Sequence, residues 1–381
     1  MEKIGLALVG STGAIGNTHI EGIEEASSAK LIGVNARRQE PLTRQAAELE
    51  VHAYPKLDDL LGSSEVDAVI IATPHPSHLE IALRAIKAGK HVLVEKPLSV
   101  TPSEADQMVT AARDANLKLG VLFNNRFRPE AQKMRQLLDQ GVIGKLYRAS
   151  MVSGMFRTQN YYDSLAWRGT WKHEGGGALI NQGIHAIDMF QWLSGMPKSC
   201  YGVLRTLKHN IEVEDYATAI LEYEGGMTGT LSCDTVQAPN KQRIELYGEY
   251  GALIMEDWNV TLHSLEMPLQ EFMDTDKTKQ SISSQNSISL ASPTHISEDF
   301  NIQPINNTHG PAIEDFCRAI IEGREPLING EEGTKAQELV AAITLSGCSG
   351  EKVSVPVDRQ QYDNLILELK SVQSLVSNFP G

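Results

Sequence analysis

Cysteine is scarce. The chain has four in 381 residues: Cys200, Cys233, Cys317 and Cys348. None are paired at metal-ligand spacing, and they are too few for a disulfide scaffold. No metal site is expected, and a reducing cytoplasm is the simplest location. Long apolar runs are also missing. No stretch approaches the ~18 consecutive apolar residues of a membrane helix. The apolar run from Ile4 to Val9 is too short for a signal peptide, and glycines interrupt it at once. Positive charge is in deficit, with 34 Lys and Arg against 48 Asp and Glu, a net charge of -14. A phosphate backbone or an anionic membrane would be repelled, so neither is an expected partner. One local basic group can still override that field for a small substrate. No internal repeat and no charge block is present.

The length suits two domains of ordinary size. Lys3 to Val9 reads as a strand. Gly10-Ser11-Thr12-Gly13-Ala14-Ile15-Gly16 follows, then a helical pattern to about Ala26. A pyrophosphate needs this order, because it sits on a helix N-terminus where free N–H groups face it and side chains would obstruct it. A plain tight turn is the competing reading of the glycines alone. The alternation continues with a strand at 31–34, a helix at 41–49, a strand at 67–72 and a strand at 91–94. Ser77-His78-Leu79-Glu80 has the form of a capping box, and its helix runs to Gly89, a C′ glycine. Thr101-Pro102-Ser103-Glu104 has the same form with proline at the first helical position. Lys118 to Phe123 closes the set. Strands rich in Val, Ile and Leu alternating with helices predict a doubly wound parallel sheet over residues 1–123.

The character changes after Phe123. A helix is expected from about Pro129 to Gln140. Strand-like runs follow at 146–152, 199–207, 217–223, 227–233, 242–247 and 252–255. Glu224-Gly225-Gly226 reads as a hairpin turn, and Tyr247 to Gly251 as a second reversal. Strands without intervening helices predict an antiparallel sheet, and residues 124–381 an α+β domain. Residues from about 270 to 308, rich in Ser, Asn and Gln, read as an excursion loop. Helices at 311–322 and 331–348 and a strand at 353–357 complete the chain.

The centre of this half is Gly175-Gly176-Gly177 and the apolar run after it. Leu179, Ile180, Ile184, Ile187 and Phe190 have helical spacing. On one helix, Asn181, His185 and Asp188 would share a face. Three polar groups on an apolar helix are costly to bury without partners. A hydrogen-bonded core network is the bland reading, and a reaction site the sharper one.

Several separated motifs now line up. They are Gly13-Ala14-Ile15-Gly16 with His19, Ala72-Thr73-Pro74 with His78, and Ala88 through Glu95-Lys96-Pro97. Asn125-Arg126-Phe127 with Pro129, the glycine triplet through Asp188, and Ala341-Ala342-Ile343 with Ser346 complete the series. In order and spacing the chain resembles the glucose–fructose oxidoreductase / inositol dehydrogenase family, often written Gfo/Idh/MocA, over nearly its whole length. The resemblance implies a Rossmann domain followed by a domain with a large, open, mainly antiparallel sheet. It implies association through that sheet as a homodimer or homotetramer. It also implies that the helix at about 331–350 packs back on the first domain and that the Lys96–Pro97 bond is cis. The activity it implies is oxidation or reduction of one carbon of a sugar, inositol or related polyol with NAD or NADP.

Carried onto this sequence, Lys96 corresponds to the family's active-site lysine and His185 to its catalytic histidine. Glu95 matches a residue near the nicotinamide half of the cofactor, and Asp188 a polar residue behind the histidine. Asn181 stands where many members have an aspartate, so an amide can position but not relay a proton. His185 is then the expected general base, and Lys96 the group that holds and polarises the reacting oxygen. The glycine loop has one residue more than usual, and Gly10, Ser11, Thr12, Gly13, Ala14 and Ile15 are expected around the phosphates. Thr73, Pro74, His78, Glu95 and Lys96 complete the expected cofactor contacts. At the end of the second strand, Ala36 stands where users of NAD carry an acid, and Arg37 and Arg38 follow. A missing carboxylate beside guanidinium groups suits a 2′-phosphate, so NADP is expected over NAD. A solvated face is the bland reading of both arginines.

Arg126, Tyr161, Trp167 and Arg168, with Lys96, Asn181 and His185, are the expected substrate contacts, since aromatics and arginines suit a sugar face and its hydroxyls. Core or sheet packing is the alternative for each aromatic. Two rival functions stand beside a sugar or inositol dehydrogenase. One is a dehydrogenase of nucleotide-linked sugars, suggested by Trp167-Arg168-Gly169-Thr170. The other is a cofactor-binding regulator without turnover.

Overall fold

The computed structural model describes residues 3–275, 292–303 and 306–371. The first sheet holds β1 (Ile4–Val9), β2 (Ala29–Asn35), β3 (His52–Ala53), β4 (Ala68–Ile71), β5 (His91–Glu95) and β6 (Leu119–Leu122), in the order β3-β2-β1-β4-β5-β6. Every pairing in it is parallel. β1, β4 and β6 are buried along their whole length, as both-face coverage by helices requires. The order reverses between β1 and β4, which opens a crevice beyond their carboxyl ends. The helices here are α1 (Gly16–Glu25), α2 (Gln39–Glu48), α3 (Leu57–Leu61), α4 (His78–Lys87) and α5 (Pro102–Asp114). The short β3 and α3 carry too few apolar residues to show periodicity and escape a reading of the sequence.

The two capping motifs part ways. Thr101 caps α5 by accepting from Glu104 N at 3.3 Å, and Glu104 reaches back to Val100 N at 2.9 Å. Ser77 caps nothing. Its hydroxyl donates to the Pro74 carbonyl and meets the Thr73 hydroxyl, both at 2.7 Å, because a tight turn at His75–Ser77 precedes α4. Gly89 takes the left-handed conformation expected of it, with φ 77°. The Lys96–Pro97 peptide bond is cis.

The second sheet holds β7 (Leu146–Gly154), β8 (Ser199–Arg205), β9 (Tyr216–Glu222), β10 (Thr228–Asp234), β11 (Lys241–Gly248), β12 (Gly251–Glu256), β13 (Asn259–Leu265), β14 (His295–Phe300) and β15 (Val353–Ser354). Its order is β14-β13-β12-β11-β7-β10-β9-β8-β15. It is antiparallel except where β10 runs parallel to β7. That exception follows from connectivity: the β8-β9-β10 meander returns beside β7 after a long excursion that carries the glycine triplet. Burial alternates along β9 and β10, so one face is covered and the other open. The expected loop at 270–308 is partly regular, with a helix at Leu269–Thr275 and strand β14. Residues 276–291 and 304–305 of that stretch lie outside the described residues.

The remaining helices are α6 (Pro129–Asp139), α7 (Gln159–Asp163), α8 (Ile184–Ser194), α9 (Leu269–Thr275), α10 (Gly310–Glu322), α11 (Gly330–Ser349) and α12 (Arg359–Ser371). α8 packs on β7 and β11. α11 lies between the two sheets, against α5 and β6 on one side and β8 and α8 on the other. Its central residues are buried almost all round, which is why amphipathic periodicity is weak there. No helix among the described residues is long and apolar enough to cross a membrane.

Candidate active site

The glycine loop folds at the end of β1. Gly10 has φ 93°, and a Cβ on it would lie 2.5 Å from the Ala72 carbonyl oxygen. A Cβ on Gly16 would lie 1.7 Å from the Ser11 carbonyl oxygen. Neither position tolerates a side chain. No side chain caps α1 and its first turn holds no acid; Gly16 N donates to the Gly13 carbonyl, and the next N–H groups remain available to an anion. Ser11 Oγ is buried without a partner, while Gly13, Ala14 and Ile15 are exposed. This cradle fits a nucleotide pyrophosphate.

A cleft of about 490 Å³ opens beside the loop, between α1 and α2. Ser11, Thr12, Arg38, Arg44 and Gln45 are among its walls. Arg38 Nη2 donates to the Thr12 carbonyl at 3.2 Å. Ala36 is buried and Arg37 exposed, and Arg37 does not line the cleft. Arg44 occupies the place beside Arg38 that the sequence had suggested for Arg37. Arg44 and Arg38 are six positions apart, and only the start of α2 brings them to one cavity.

Across the crevice, Glu95 ends β5 and Lys96 follows it. Glu95 is buried, and burial alone would raise its carboxyl. His19 at 3.0 Å and His309 at 3.9 Å hold it instead down to about 2. One ligand atom from each of these three side chains lies within 4.8 Å of the others. His78 does not reach the cleft. It is buried, with Nδ1 3.0 Å from the Pro97 carbonyl and Nε2 2.8 Å from the Thr73 carbonyl. It ties the loop after β4 to the loop after β5. Thr73 and Pro74 remain open at the rim.

The glycine triplet is not the first turn of a helix. Residues 175–183 form successive turns, and α8 begins at Ile184. Asn181, His185 and Asp188 therefore do not share one helical face, as simple spacing had suggested. Gly175 and Gly176 have φ 87° and 152°, and a Cβ on Gly177 would lie 2.0 Å from the Glu214 carbonyl oxygen. Glu214 fastens the turn: its carboxylate accepts from Gly177 N at 3.0 Å and Leu179 N at 3.0 Å. Burial pushes it up to about 7.

These turns bring Asn181 over Lys96. Lys96 Nζ donates to the Asn181 carbonyl at 3.0 Å and lies 3.5 Å from Asn181 Oδ1. Burial lowers the Lys96 ammonium, and Glu95 and Glu174 oppose that shift. Asn181 Nδ2 donates to Glu174. His185, on the first turn of α8, is partly exposed and stands edge-on to Phe123, with ring centroids 5.9 Å apart. Burial, and then the Lys96 charge, lower its imidazole to about 3. It is thus neutral at physiological pH, the form a base needs.

Arg126 was expected at the substrate and is not there. It is wholly buried, paired through two hydrogen bonds with Asp188 and a third, at 3.2 Å, with Glu332. Although burial opposes its charge, those carboxylates keep it above its ordinary value. The motif around Arg126 could not tell which way its side chain turns.

Tyr161, Trp167 and Arg168 do gather. The Arg168 guanidinium lies 3.9 Å from the Tyr161 ring centroid and 5.4 Å from that of Trp167. Trp167 meets His75 at 6.3 Å, and the Tyr161 hydroxyl accepts from Gln182 at 2.9 Å. Arg157 lies over the same Tyr161 ring at 5.2 Å and, unforeseen in the sequence, acts electrostatically on Lys96. Glu174 was also missed. Its one signal was its place directly before the glycine triplet.

Comparison with known proteins follows the same division. Residues 4–123 match the oxidoreductase family with NAD-binding Rossmann fold, GFO_IDH_MocA, and residues 131–254 match the GFO/IDH/MocA C-terminal domain. The rhizopine catabolism protein MocA of Rhizobium meliloti is 28% identical over 206 residues, 53% of this chain and 61% of that protein. Trans-1,2-dihydrobenzene-1,2-diol dehydrogenase of Bos taurus is 30% identical over 215 residues, 55% of this chain and 61% of that protein. The chain spans about half to two thirds of the length of the curated relatives it matches. The WlbA dehydrogenase of Bordetella pertussis, solved with NADH and UDP-GlcNAcA, is 27% identical. It superposes with TM-score 0.76 over 94% of this chain and 100% of that one.

Proposed function

The chain belongs to the GFO/IDH/MocA oxidoreductase family, and from that premise we propose that it moves hydride between a nicotinamide cofactor and a secondary alcohol, or the matching carbonyl, of a sugar-type substrate. The observation that carries this reading is the convergence of a neutral His185 and the Lys96 ammonium beyond the end of β5, across the crevice from an uncapped, glycine-lined helix start. Bound nicotinamide would supply the hydride chemistry. Gly10 to Ile15 would hold its pyrophosphate, and Thr73, Pro74 and Glu95 would border its other half. His185 takes the hydroxyl proton during oxidation and returns it during reduction. Lys96 holds the reacting oxygen and offsets its developing negative charge.

NADP is the proposed cofactor. Ala36 offers no carboxylate to the ribose, and Arg38 and Arg44 face one cavity beside the loop. The open face of the second sheet, where Tyr201 and Ile220 pair across strands and are 44% and 58% exposed, supports a homo-oligomer.

A second reading has its own support. Arg157 and Arg168 both lie over the Tyr161 ring, and a neighbour of 27% identity binds UDP-GlcNAcA. A phosphate-bearing, nucleotide-linked sugar suits two such arginines. A regulator without turnover is less well supported, because Lys96 and a neutral His185 are both retained on the same side of the crevice.

The test is reduced-nicotinamide absorbance with NADP and NAD in turn, across inositols, free sugars and nucleotide-linked sugars, with Lys96→Ala protein as control. Turnover that needs Lys96 supports the enzyme reading. Cofactor binding without turnover on any of these substrates supports the regulator.

A further inference from the structure

Glu174 is 1% exposed and stands directly before the glycine triplet. Both of its carboxylate oxygens are engaged. Oε2 accepts from Gly169 N at 2.6 Å, and Oε1 accepts from Asn181 Nδ2. The other end of the same amide, Oδ1, faces Lys96 Nζ at 3.5 Å. An amide donates at one end and accepts at the other, so its orientation links the two charges. Resting on the dehydrogenase reading above, we propose that Glu174 is a positioning residue for the reaction, acting through Asn181 to hold the Lys96 ammonium aimed at the substrate oxygen.

The carboxylate that position 181 lacks is thus present, seven residues earlier in the chain. The same contact accounts for the amide. An aspartate at 181 would set two carboxylates in hydrogen-bond contact, and one of them would have to take up a proton.

Protonation of Glu174 reverses the chain of contacts. Gly169 N–H occupies Oε2, so the proton goes to Oε1. The amide must then turn its oxygen toward Glu174 and its NH₂ toward Lys96, where two donors repel. The groups acting on Glu174 are Lys96 and Arg168, which favour its charge, and Glu214 and Tyr162, which interact with it from the β9 side and α7. His75 Nδ1 donates to its backbone carbonyl at 3.0 Å. Burial dominates and raises the carboxyl to about 7, while His185 stays near 3. Turnover therefore rises with pH through about 7, and that limb belongs to Glu174 rather than to the histidine.

The test combines kinetics with a measurement that needs no turnover. Glu174→Gln holds the amide in the reversed orientation. We expect kcat at pH 8 to fall about tenfold, the limb near pH 7 to vanish, and KM for the cofactor to stay unchanged. Labelling of Lys96 by an amine reagent is followed against pH by mass spectrometry, and its midpoint should move to lower pH when the counter-charge is lost. Glu174→Gln combined with Asn181→Asp returns one carboxylate to the lysine and should recover most of the lost kcat. Glu214→Gln, which removes the other acid near 7, should keep the limb. A Glu174→Gln protein with the wild-type limb and wild-type labelling midpoint overturns the proposal. If wild-type protein shows no Lys96-dependent turnover, the dehydrogenase reading fails instead, and the labelling midpoint still decides whether Glu174 acts on Lys96.

Discussion

Arg126 and Asp188 face each other through two parallel hydrogen bonds, 2.8 Å and 2.6 Å long, with neither side chain touching solvent. Arg126 follows β6 and Asp188 lies on α8, one turn beyond His185. The pair locks the histidine helix to the nucleotide-binding sheet. Trp192, 5.2 Å from the guanidinium, closes the pocket.

Arg126→Met should therefore destabilise the fold by about 3–5 kcal/mol, because Asp188 is left buried and unpaired. Arg126→Met with Asp188→Leu should recover a large part of that loss. Thermal unfolding checks both. A raised KM with an unchanged Tm would mean that Arg126 contacts substrate after all.

Lys96→Ala and His185→Gln should each lower kcat/KM by roughly 10²–10⁴. Cofactor affinity, read by fluorescence titration, should hold within a few fold for His185→Gln. Near wild-type turnover in both variants would remove the pair from the chemistry.

His185 and His75 are both lowered to about 3, chiefly by burial. The unfolded chain binds their protons near 6.5, well above the folded value, so stability rises with pH between about 3 and 6.5. Their contribution is complete above 6.5 and shrinks as pH falls. Glu174 and Glu214, both raised to about 7, act in the opposite sense over this window, so the check is the difference between proteins: raising the pH from 5 to 7.5 should shift the urea midpoint less favourably in His75→Gln than in the wild type. The His185 ring should show no titration by NMR between pH 5 and 8.

Arg38→Ala and Arg44→Ala should each weaken NADP by about tenfold, the scale of one charge-assisted hydrogen bond, and leave NAD nearly unaffected. Ala36→Asp should shift preference toward NAD. Equal losses for both cofactors would place the arginines away from the 2′-phosphate.

Strong local signals made the first domain legible. β1, β4 and β6 are continuous apolar runs because both faces are covered, and Gly10 and Gly16 sit where a Cβ would strike backbone. The second domain was read less completely. β13 and β14 lie toward one edge of the sheet, and β14 is almost wholly exposed, so burial leaves little pattern on it. The polar spacing of 181, 185 and 188 suggested a continuous helix. The positive φ values of Gly175 and Gly176, and the close approach of Gly177 to Glu214, instead make the first part a series of turns.

The sequence by itself determined the glycine loop after the first strand and the parallel, helix-covered class of the first sheet, and it singled out Lys96 and His185 as the candidate reacting pair. Each depends on residues close in the chain, or on motifs whose order is diagnostic. Only the tertiary structure decided where the charges point. It turned Arg126 inward to Asp188, set His309 beside Glu95, and carried Glu174 through Asn181 to Lys96. Those partners come from different elements, and burial rather than spacing fixes which groups must pair.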